Sequence, residues 1–182
     1  MTPPEEIAAG PIVLRRWQAE WATGLLAAVR ASLPQLQASG AEWAKDGYSL
    51  DSAQEYMDRV ATNWAEKSAF SYAITLPGGE VIGAASLMTR MGPGVLEIGY
   101  WVHSDFTGRG YATAATVALT KVALSLEGIA KVAIRHDARN RASARVAERA
   151  GYVEVGRRPS TLGSTSDRTG VEVIWEHPRG KG

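Results

Sequence analysis

Cysteine is absent from the chain. That removes a disulfide framework, thiolate metal sites and a cysteine nucleophile together. An excess of one charge is lacking too. Twenty Lys and Arg against 19 Asp and Glu leave a formal charge of +1, so no global field draws the chain to nucleic acid or to an anionic membrane. No apolar run approaches the ~20 residues that a membrane helix needs. The opening M-T-P-P-E-E-I is acidic and has no apolar stretch, so it does not read as a secretory signal. The expectation is a soluble, cytoplasmic protein with neither nucleic acid nor membrane among its partners. Internal repeats, low-complexity tracts and linkers are missing as well. The 182 residues, 45% apolar, therefore read as one domain over 1–182, with 1–10 a frayed terminus and 178–182 a tail.

What is present alternates between strand and helix signals. A first strand is expected over 12–17. A helix over 20–32 follows, with Trp21, Leu25, Ala28 and Val29 on one face and Pro34 as its stop. A second helix is expected from Ser52, where Ser52 and Glu55 have capping-box spacing. Strands are expected over 69–76, 80–88 and 95–102, joined by Pro77-Gly78-Gly79 and Gly92-Pro93-Gly94, which reads as an antiparallel meander. An apolar helix over 111–126, a strand over 131–136 and a short helix over 141–150 come next. Strands over 152–156 and 171–177 close the chain, and the polar segment between them reads as a long flexible loop. Three meander strands followed by a β-α-β crossover give an α/β fold of the mixed α+β kind. Its central sheet is mixed and mostly antiparallel, of about seven strands, with helices on both faces.

The richest stretch is V-L-E-I-G-Y-W-V-H-S-D-F-T-G-R-G-Y-A-T at 95–113. It reads as a buried strand delivering a ligand to a glycine turn that opens a helix. Gly108 and Gly110 allow positive φ, and the first helical turn has unpaired N–H groups that attract phosphate. Spacing alone leaves a phosphate cradle and a plain chain reversal both open. A dinucleotide fingerprint is disfavoured because Thr113 stands at its third glycine, and no G-K-[ST] marks a P-loop.

Together with the later N-R-A-S-A-R-V-A-E-R-A-G-Y, these residues resemble the GNAT N-acetyltransferases, and within them the RimJ/RimL type. E-I-G-Y-W at Glu97–Trp101 and N-x-x-S-x-R-V at Asn140–Val146 match that branch. At the first position of the glycine motif this chain has Thr107, where the family usually has Arg or Gln. The resemblance implies a GNAT fold and transfer of an acetyl group from acetyl-CoA, a co-substrate rather than a resident cofactor, directly to an amine, with no metal. It implies that Thr107, Gly108, Arg109, Gly110, Tyr111, Ala112 and Thr113 hold the pyrophosphate, and that backbone N–H groups around Trp101, Val102 and His103 polarise the thioester carbonyl. Asn140 would bind the pantetheine amides, Ser143 the leaving sulfur, and Arg145 the coenzyme phosphates, within a local charge of +3 over 135–149. Helix capping is the structural alternative for Asn140. Glu97 is the implied general base, its pKa expected to rise in an apolar cleft; the alternative is that it faces a wet cleft and pairs with an arginine, or only orients the substrate. His103 is the rival, with the better intrinsic pKa.

For the acceptor, the resemblance points to residues 33–48 and 157–169, with Trp43 and Tyr48 as pocket walls beside Glu97. Neither segment has the run of acids that a polycationic substrate would need. A protein N-terminal α-amine of the ribosomal-protein type is the first reading. A small-molecule amine or amino acid is the second, and a non-catalytic acyl-CoA sensor the alternative of another class. Monomer and homodimer stay open.

Overall fold

The structure, a computed structural model, describes residues 2–165, 168–178 and 180; of residues 162–165 it describes the backbone alone. Its elements are β1 (Glu6–Ala9), β2 (Ile12–Arg16), α1 (Ala22–Ala38), α2 (Leu50–Glu66), β3 (Ala69–Thr75), β4 (Val81–Met88), β5 (Val95–Val102), α3 (Tyr111–Ser125), β6 (Lys131–Asp137), α4 (Arg141–Arg149), β7 (Val153–Thr165) and β8 (Arg168–Pro178). The sheet runs β1-β2-β3-β4-β5-β6-β8-β7, antiparallel except for the parallel β5–β6 pair that α3 bridges.

Side-chain alternation along the strands builds two cores. Ile74, Leu87, Ile98 and Ile134 point to one face, where Ala115, Leu119 and Ala123 of α3 and Ala147 of α4 cover them. Ala73 and Ala84 point to the other, under Leu25, Val29 and Leu36 of α1 and Met57 and Val60 of α2. Helices therefore lie on both faces of the mixed sheet.

Four boundaries differ from the sequence reading. The sheet has eight strands, because residues 6–9 form β1 instead of a frayed end. Ile7 and Ala9 alternate inward, and Tyr72 donates its hydroxyl hydrogen to Pro4 O at 2.9 Å. Helix α1 continues through Pro34 to Ala38. Burial of Leu36, 2% exposed, and the hold of Gln37 Nε2 on Ala44 O at 3.0 Å outweigh the one backbone bond that proline removes. Helix α2 starts two residues early, at Leu50, because Ser49 is its N-cap and forms the reciprocal box with Ser52. The polar segment expected as a loop is the β7–β8 hairpin, paired as far as Thr165↔Arg168. Its sequence, R-R-P-S-T-L-G-S-T-S-D-R-T, carries no apolar alternation to announce it. Of the expected tail, Pro178 closes β8, and residues 179, 181 and 182 lie outside those described.

One discontinuity positions the site. The β5–β6 register runs from Val95↔Lys131 to Ile98↔Ile134 and stops. Beyond it β5 continues against β4 to Val102, and β6 continues against β8 to Asp137. The two strands diverge and leave a wedge between them, open to both faces of the sheet.

Candidate active site

At the end of β5 the chain makes a 3-10 turn, Ser104–Phe106, and reaches the glycines. Gly108 has φ +75° and Gly110 φ +82°, the left-handed region that glycine occupies without cost. Gly110 N-caps α3, and the first intrahelical bond runs from Ala114 N to Gly110 O at 2.9 Å. The amides of Tyr111, Ala112 and Thr113 lie ahead of that bond, outside the helical ladder, at the positive end of the helix dipole. Thr107 donates its hydroxyl hydrogen to Ser104 O at 2.9 Å, so it holds the turn's shape where a longer side chain would reach for a ligand. Arg109 folds back, donating to Asp105 O at 3.0 Å and covering the Phe106 ring at 5.1 Å. Its side chain braces the turn and does not line the cleft.

A cleft of about 360 Å³ joins this turn to the wedge. Thr107, Gly108, Gly110, Tyr111, Ala112 and Thr113 line one end of it. Trp101 and Val102 of β5 line the middle, and Asn140, Ser143 and Arg145 line the α4 side. Gln35 and Leu36 of α1 and its C-cap Ser39 close it from the other face; they belong to the 33–48 segment expected at the acceptor. Asn140 takes its structural alternative: its Oδ1 accepts from Ser143 N at 3.0 Å as the N-cap of α4. That leaves its amide NH₂ for other partners.

The oxyanion donors are narrower than expected. His103 N donates to Ile82 O at 2.8 Å, so that group is consumed by the sheet. Ladder alternation gives Trp101 N–H to β4 as well, and turns the N–H groups of Tyr100 and Val102 toward the wedge. The His103 ring lines neither this cleft nor the hollow described next. Its Nδ1 accepts from Asp105 N at 3.1 Å and its ring packs edge-on against Phe106, so the side chain caps the 3-10 turn.

A second hollow of about 260 Å³ opens on the other side of the wedge. Ser39, Tyr100, Asn140 and Ser143 line both spaces, so the two meet at the β5–β6 divergence. Tyr100 stands at the junction, with its hydroxyl 3.4 Å from Ser143 O. Burial pushes its pKa up to about 12, which keeps it a hydrogen-bond donor. The second hollow is strongly ionic. Glu97, only 2% exposed, accepts both arms of Arg90 at 2.7 Å each, and Arg135 at 2.8 Å. Arg135 also donates to Glu172 at 3.1 Å, and Arg158 donates to the same oxygen at 2.8 Å. Burial alone would push the Glu97 pKa up, but the hydrogen bonds and charges of the two arginines outweigh it and hold the carboxyl below its ordinary value. The expected rise is therefore corrected: Glu97 sits among arginines, not in an apolar cleft. At the far end Arg168 donates to Glu42 at 2.7 Å and ties the β7–β8 hairpin to the α1–α2 connection.

Trp43 and Tyr48 do come together, with ring centroids 5.8 Å apart, and Trp43 packs on Trp101 at 6.1 Å. Neither lines either of these two spaces. They stack outside the wedge, on the α1–α2 side of β5. Among the described residues no group of three or more His, Asp or Glu could hold a metal ion, and no helix is long and apolar enough to cross a membrane.

A strand that diverges from its parallel neighbour just before a glycine turn is a specific arrangement, and residues 12–153 match the acetyltransferase (GNAT) domain family. The chain belongs to that family. This acetyltransferase also superposes on solved structures over nearly its whole length. A microcin C7 self-immunity acetyltransferase, MccE, solved with acetyl-CoA and AMP, matches with TM-score 0.86 at 18% identity, covering 96% of this chain and 97% of the other. RimL, a ribosomal L7/L12 alpha-N-protein acetyltransferase solved with coenzyme A, gives 0.85 at 20%, covering 96% and 98%. RimJ of Mycobacterium smegmatis gives 0.83 at 20%, covering 98% and 90%. At these identities the likeness is one of fold. A comparison with curated proteins finds no significant match.

Proposed function

We propose that this acetyltransferase moves an acetyl group from acetyl-CoA to a primary amine that enters through the ionic hollow, and that a protein N-terminal α-amine is its acceptor. The observation that carries the reading is the meeting of two separate spaces at the β5–β6 wedge, one floored by amides and the other lined by charges. The first space fits the coenzyme. Its pyrophosphate would lie on the amides of Tyr111–Thr113 and its pantetheine arm along the unpaired edge of β5. The acetyl oxygen then meets Val102 N–H, and donors aimed at a developing oxyanion are worth about 2.7–4 kcal/mol each. The Ser143 hydroxyl and the Tyr100 phenol flank the place where the sulfur leaves, as hydrogen-bond donors and not as full acids.

Glu97 enters as the centre of the ionic hollow. A carboxyl held below its ordinary pKa by two arginines accepts a proton poorly at neutral pH, so the acceptor must arrive with its own amine unprotonated. An α-amine has a pKa near ~8 and is partly unprotonated without help, whereas an alkyl amine near ~10 is not. That contrast favours an α-amine over a lysine side chain, and solved relatives named as acting on protein N-termini support the same direction. A second reading has its own observation. The Arg168–Glu42 bridge closes the far end of a hollow of only about 260 Å³, which fits a small amine or amino acid.

Thiol release measured with acetyl-CoA and three acceptor sets tests these readings: short peptides beginning with Ser or Ala, the same peptides with blocked N-termini, and a panel of amino acids and small amines. Turnover confined to free N-termini supports the first reading, and turnover confined to the small-amine panel replaces it with the second. Saturable coenzyme binding with no thiol release on any acceptor would make the chain a sensor.

A further inference from the structure

Strand β4 holds a glycine that the neighbouring backbone crowds. Gly83 is buried and stands opposite Val102 of β5, with Ala84 opposite Trp101. Just before it the strand carries an extra residue. Ile74 of β3 pairs with Gly83 and Thr75 with Val81, so Ile82 is a bulge. A glycine beside a bulge marks a place where another backbone comes close. Here that backbone is the 101–102 peptide. A β-carbon on Gly83 would stand 2.2 Å from Trp101 O, 3.2 Å from Trp101 C and 3.1 Å from Val102 Cα. These are all backbone atoms, so no flexible side chain can give way, and the peptide itself would have to move.

The far end of that same peptide faces the wedge. A peptide unit is planar and trans, so its C=O and N–H point opposite ways. Trp101 C=O turns toward β4, and Val102 N–H therefore turns into the wedge. The surroundings leave this peptide one soft motion. His103 N–H is tied to Ile82 O at 2.8 Å. The Trp101 ring packs on Trp43, and the Val102 side chain is buried in the core that α3 covers. With both side chains and the next amide held, pressure on Trp101 O is relieved by tilting the peptide plane, and the tilt re-aims Val102 N–H. In the coenzyme reading above, on which this rests, Val102 N–H meets the acetyl oxygen. As the amine attacks the thioester carbon, that oxygen takes up the carbonyl electron pair, and it returns the pair as the sulfur leaves. A donor aimed at it lowers the barrier. We propose that Gly83 is a positioning residue for acetyl transfer: its missing side chain lets the 101–102 peptide lie close against β4, with Val102 N–H aimed at the thioester carbonyl.

Gly83→Ala adds one carbon at the crowded position. Infrared spectra of bound acetyl-CoA, isotopically labelled at the thioester carbonyl, read the hydrogen bond with no acceptor present. A second variant removes the donor without adding bulk: a backbone ester in place of the Val102 amide, made by inserting the α-hydroxy analogue of valine. The carbonyl band of the wild-type complex is expected at lower frequency than that of either variant. In the ester background Gly83→Ala should move the band no further, because both changes act through one N–H. Affinity for coenzyme A should be unchanged, since the glycine turn is untouched. With a Ser-initiated peptide as acceptor, Gly83→Ala should lower kcat by about 10- to 100-fold and leave KM in place, the scale of a misaimed oxyanion donor. A carbonyl band that is the same in Gly83→Ala as in the wild type overturns the proposal. So does a shift that is as large in the ester background as outside it, because the glycine then acts elsewhere. A Gly83→Ala chain that does not fold, or that loses its affinity for coenzyme A, also overturns it: the glycine is then a need of the sheet alone. An ester that leaves the wild-type band in place means that Val102 N–H is not the donor, and it overturns the proposal whether or not the alanine variant folds. Failure of the wild-type chain to bind acetyl-CoA would bring down the coenzyme reading itself, a result distinct from all of these.

Discussion

The two sides of the wedge are built by different means. The glycine-turn side is mostly backbone: two glycines at positive φ, three amides ahead of the helical ladder and a strand edge, nearly all within residues 100–113. The ionic side is almost wholly side chain. Arg90, Glu97, Arg135 and Glu172 come from the β4–β5 connection and from three different strands, and they hold one another by charge. A backbone site tolerates most changes of side chain and fails when its shape is filled. A charge network tolerates little, because each removal leaves a buried partner uncompensated. The predictions below probe that contrast.

The largest effect is expected on the backbone side. Gly110→Trp should abolish measurable coenzyme binding, a loss of more than about 100-fold, while the protein stays folded. A β-carbon at Gly110 meets no atom within 4 Å, so the indole is free to fill the cleft. Gly110→Ala should cost only the strain of a left-handed residue, about 1–2 kcal/mol, and keep binding. Titration of both variants, with melting curves, checks the pair. If Trp is tolerated, the phosphates do not lie on this turn.

On the ionic side, Glu97→Ala should destabilise the fold by about 3–5 kcal/mol, the usual result of removing one partner from a buried charge pair. The well-buried Arg135 accounts for most of that, since solvent screens the half-exposed Arg90. The pH dependence has a definite sign. The folded pKa of Glu97 is depressed, so its contribution is fully present above the ordinary carboxyl range and is lost as pH falls through the lower, folded value. The melting-temperature gap between wild type and Glu97→Gln should therefore be widest near neutrality and close as pH drops below about 4. A gap that widens in acid would mean the carboxyl is protonated in the native state.

The same geometry fixes what the rate should follow. If Glu97 holds the ionic hollow together and does not accept the amine's proton, the rising limb of kcat/KM with pH belongs to the acceptor. With peptide acceptors the limb should sit near ~8, the ordinary α-amine value, and it should move by the full difference when an amine of another pKa is used. Glu97→Gln should then raise KM about tenfold and leave the limb in place. A limb that ignores the acceptor and disappears in Glu97→Gln would return the carboxylate to the role of general base.

The contrast also explains what could be read without coordinates. The glycine turn, the buried strand before it and the apolar α3 are local patterns, so 95–126 carry their own description. Glu97 stands out as the one acid in an apolar strand, but its partners do not. Arg90 lies in a connection and Arg135 in a strand 38 residues away, and only the parallel pairing of β5 and β6 brings Arg135 to the carboxylate. The direction of its pKa shift was illegible for that reason. Strand β1 was hidden because four residues give too little alternation, and the far half of β7 because its Ser-, Thr- and Gly-rich sequence has no period-two apolar pattern. Trp43 drew attention as an aromatic in a polar stretch, but its place on Trp101 outside the wedge is a tertiary outcome.

The smallest effect is expected at the Arg168–Glu42 bridge, and it bears on which acceptor the ionic side admits. Arg168 is nearly buried, and Glu42 is half exposed on the outer side of the hollow. Cutting the bridge from the exposed Glu42 side keeps an amide oxygen within reach of the nearly buried arginine in Glu42→Gln, so the fold should lose little stability, which a melting curve checks. What changes is the closure of the far end. In Glu42→Gln the hairpin and the α1–α2 connection are no longer tied by charge, and longer acceptors gain room. The ratio of kcat/KM for a six-residue peptide to that for a single amino-acid amide should rise about two- to fivefold, the scale of one exposed ion pair. Raised salt should reproduce the shift in the wild type and leave the variant unmoved, because screening acts on the pair and not on the shape of the hollow. A ratio that stays constant under both treatments would mean that the bridge is only structural and that acceptor length is set nearer the wedge, by Ser39, Tyr100 and Asn140.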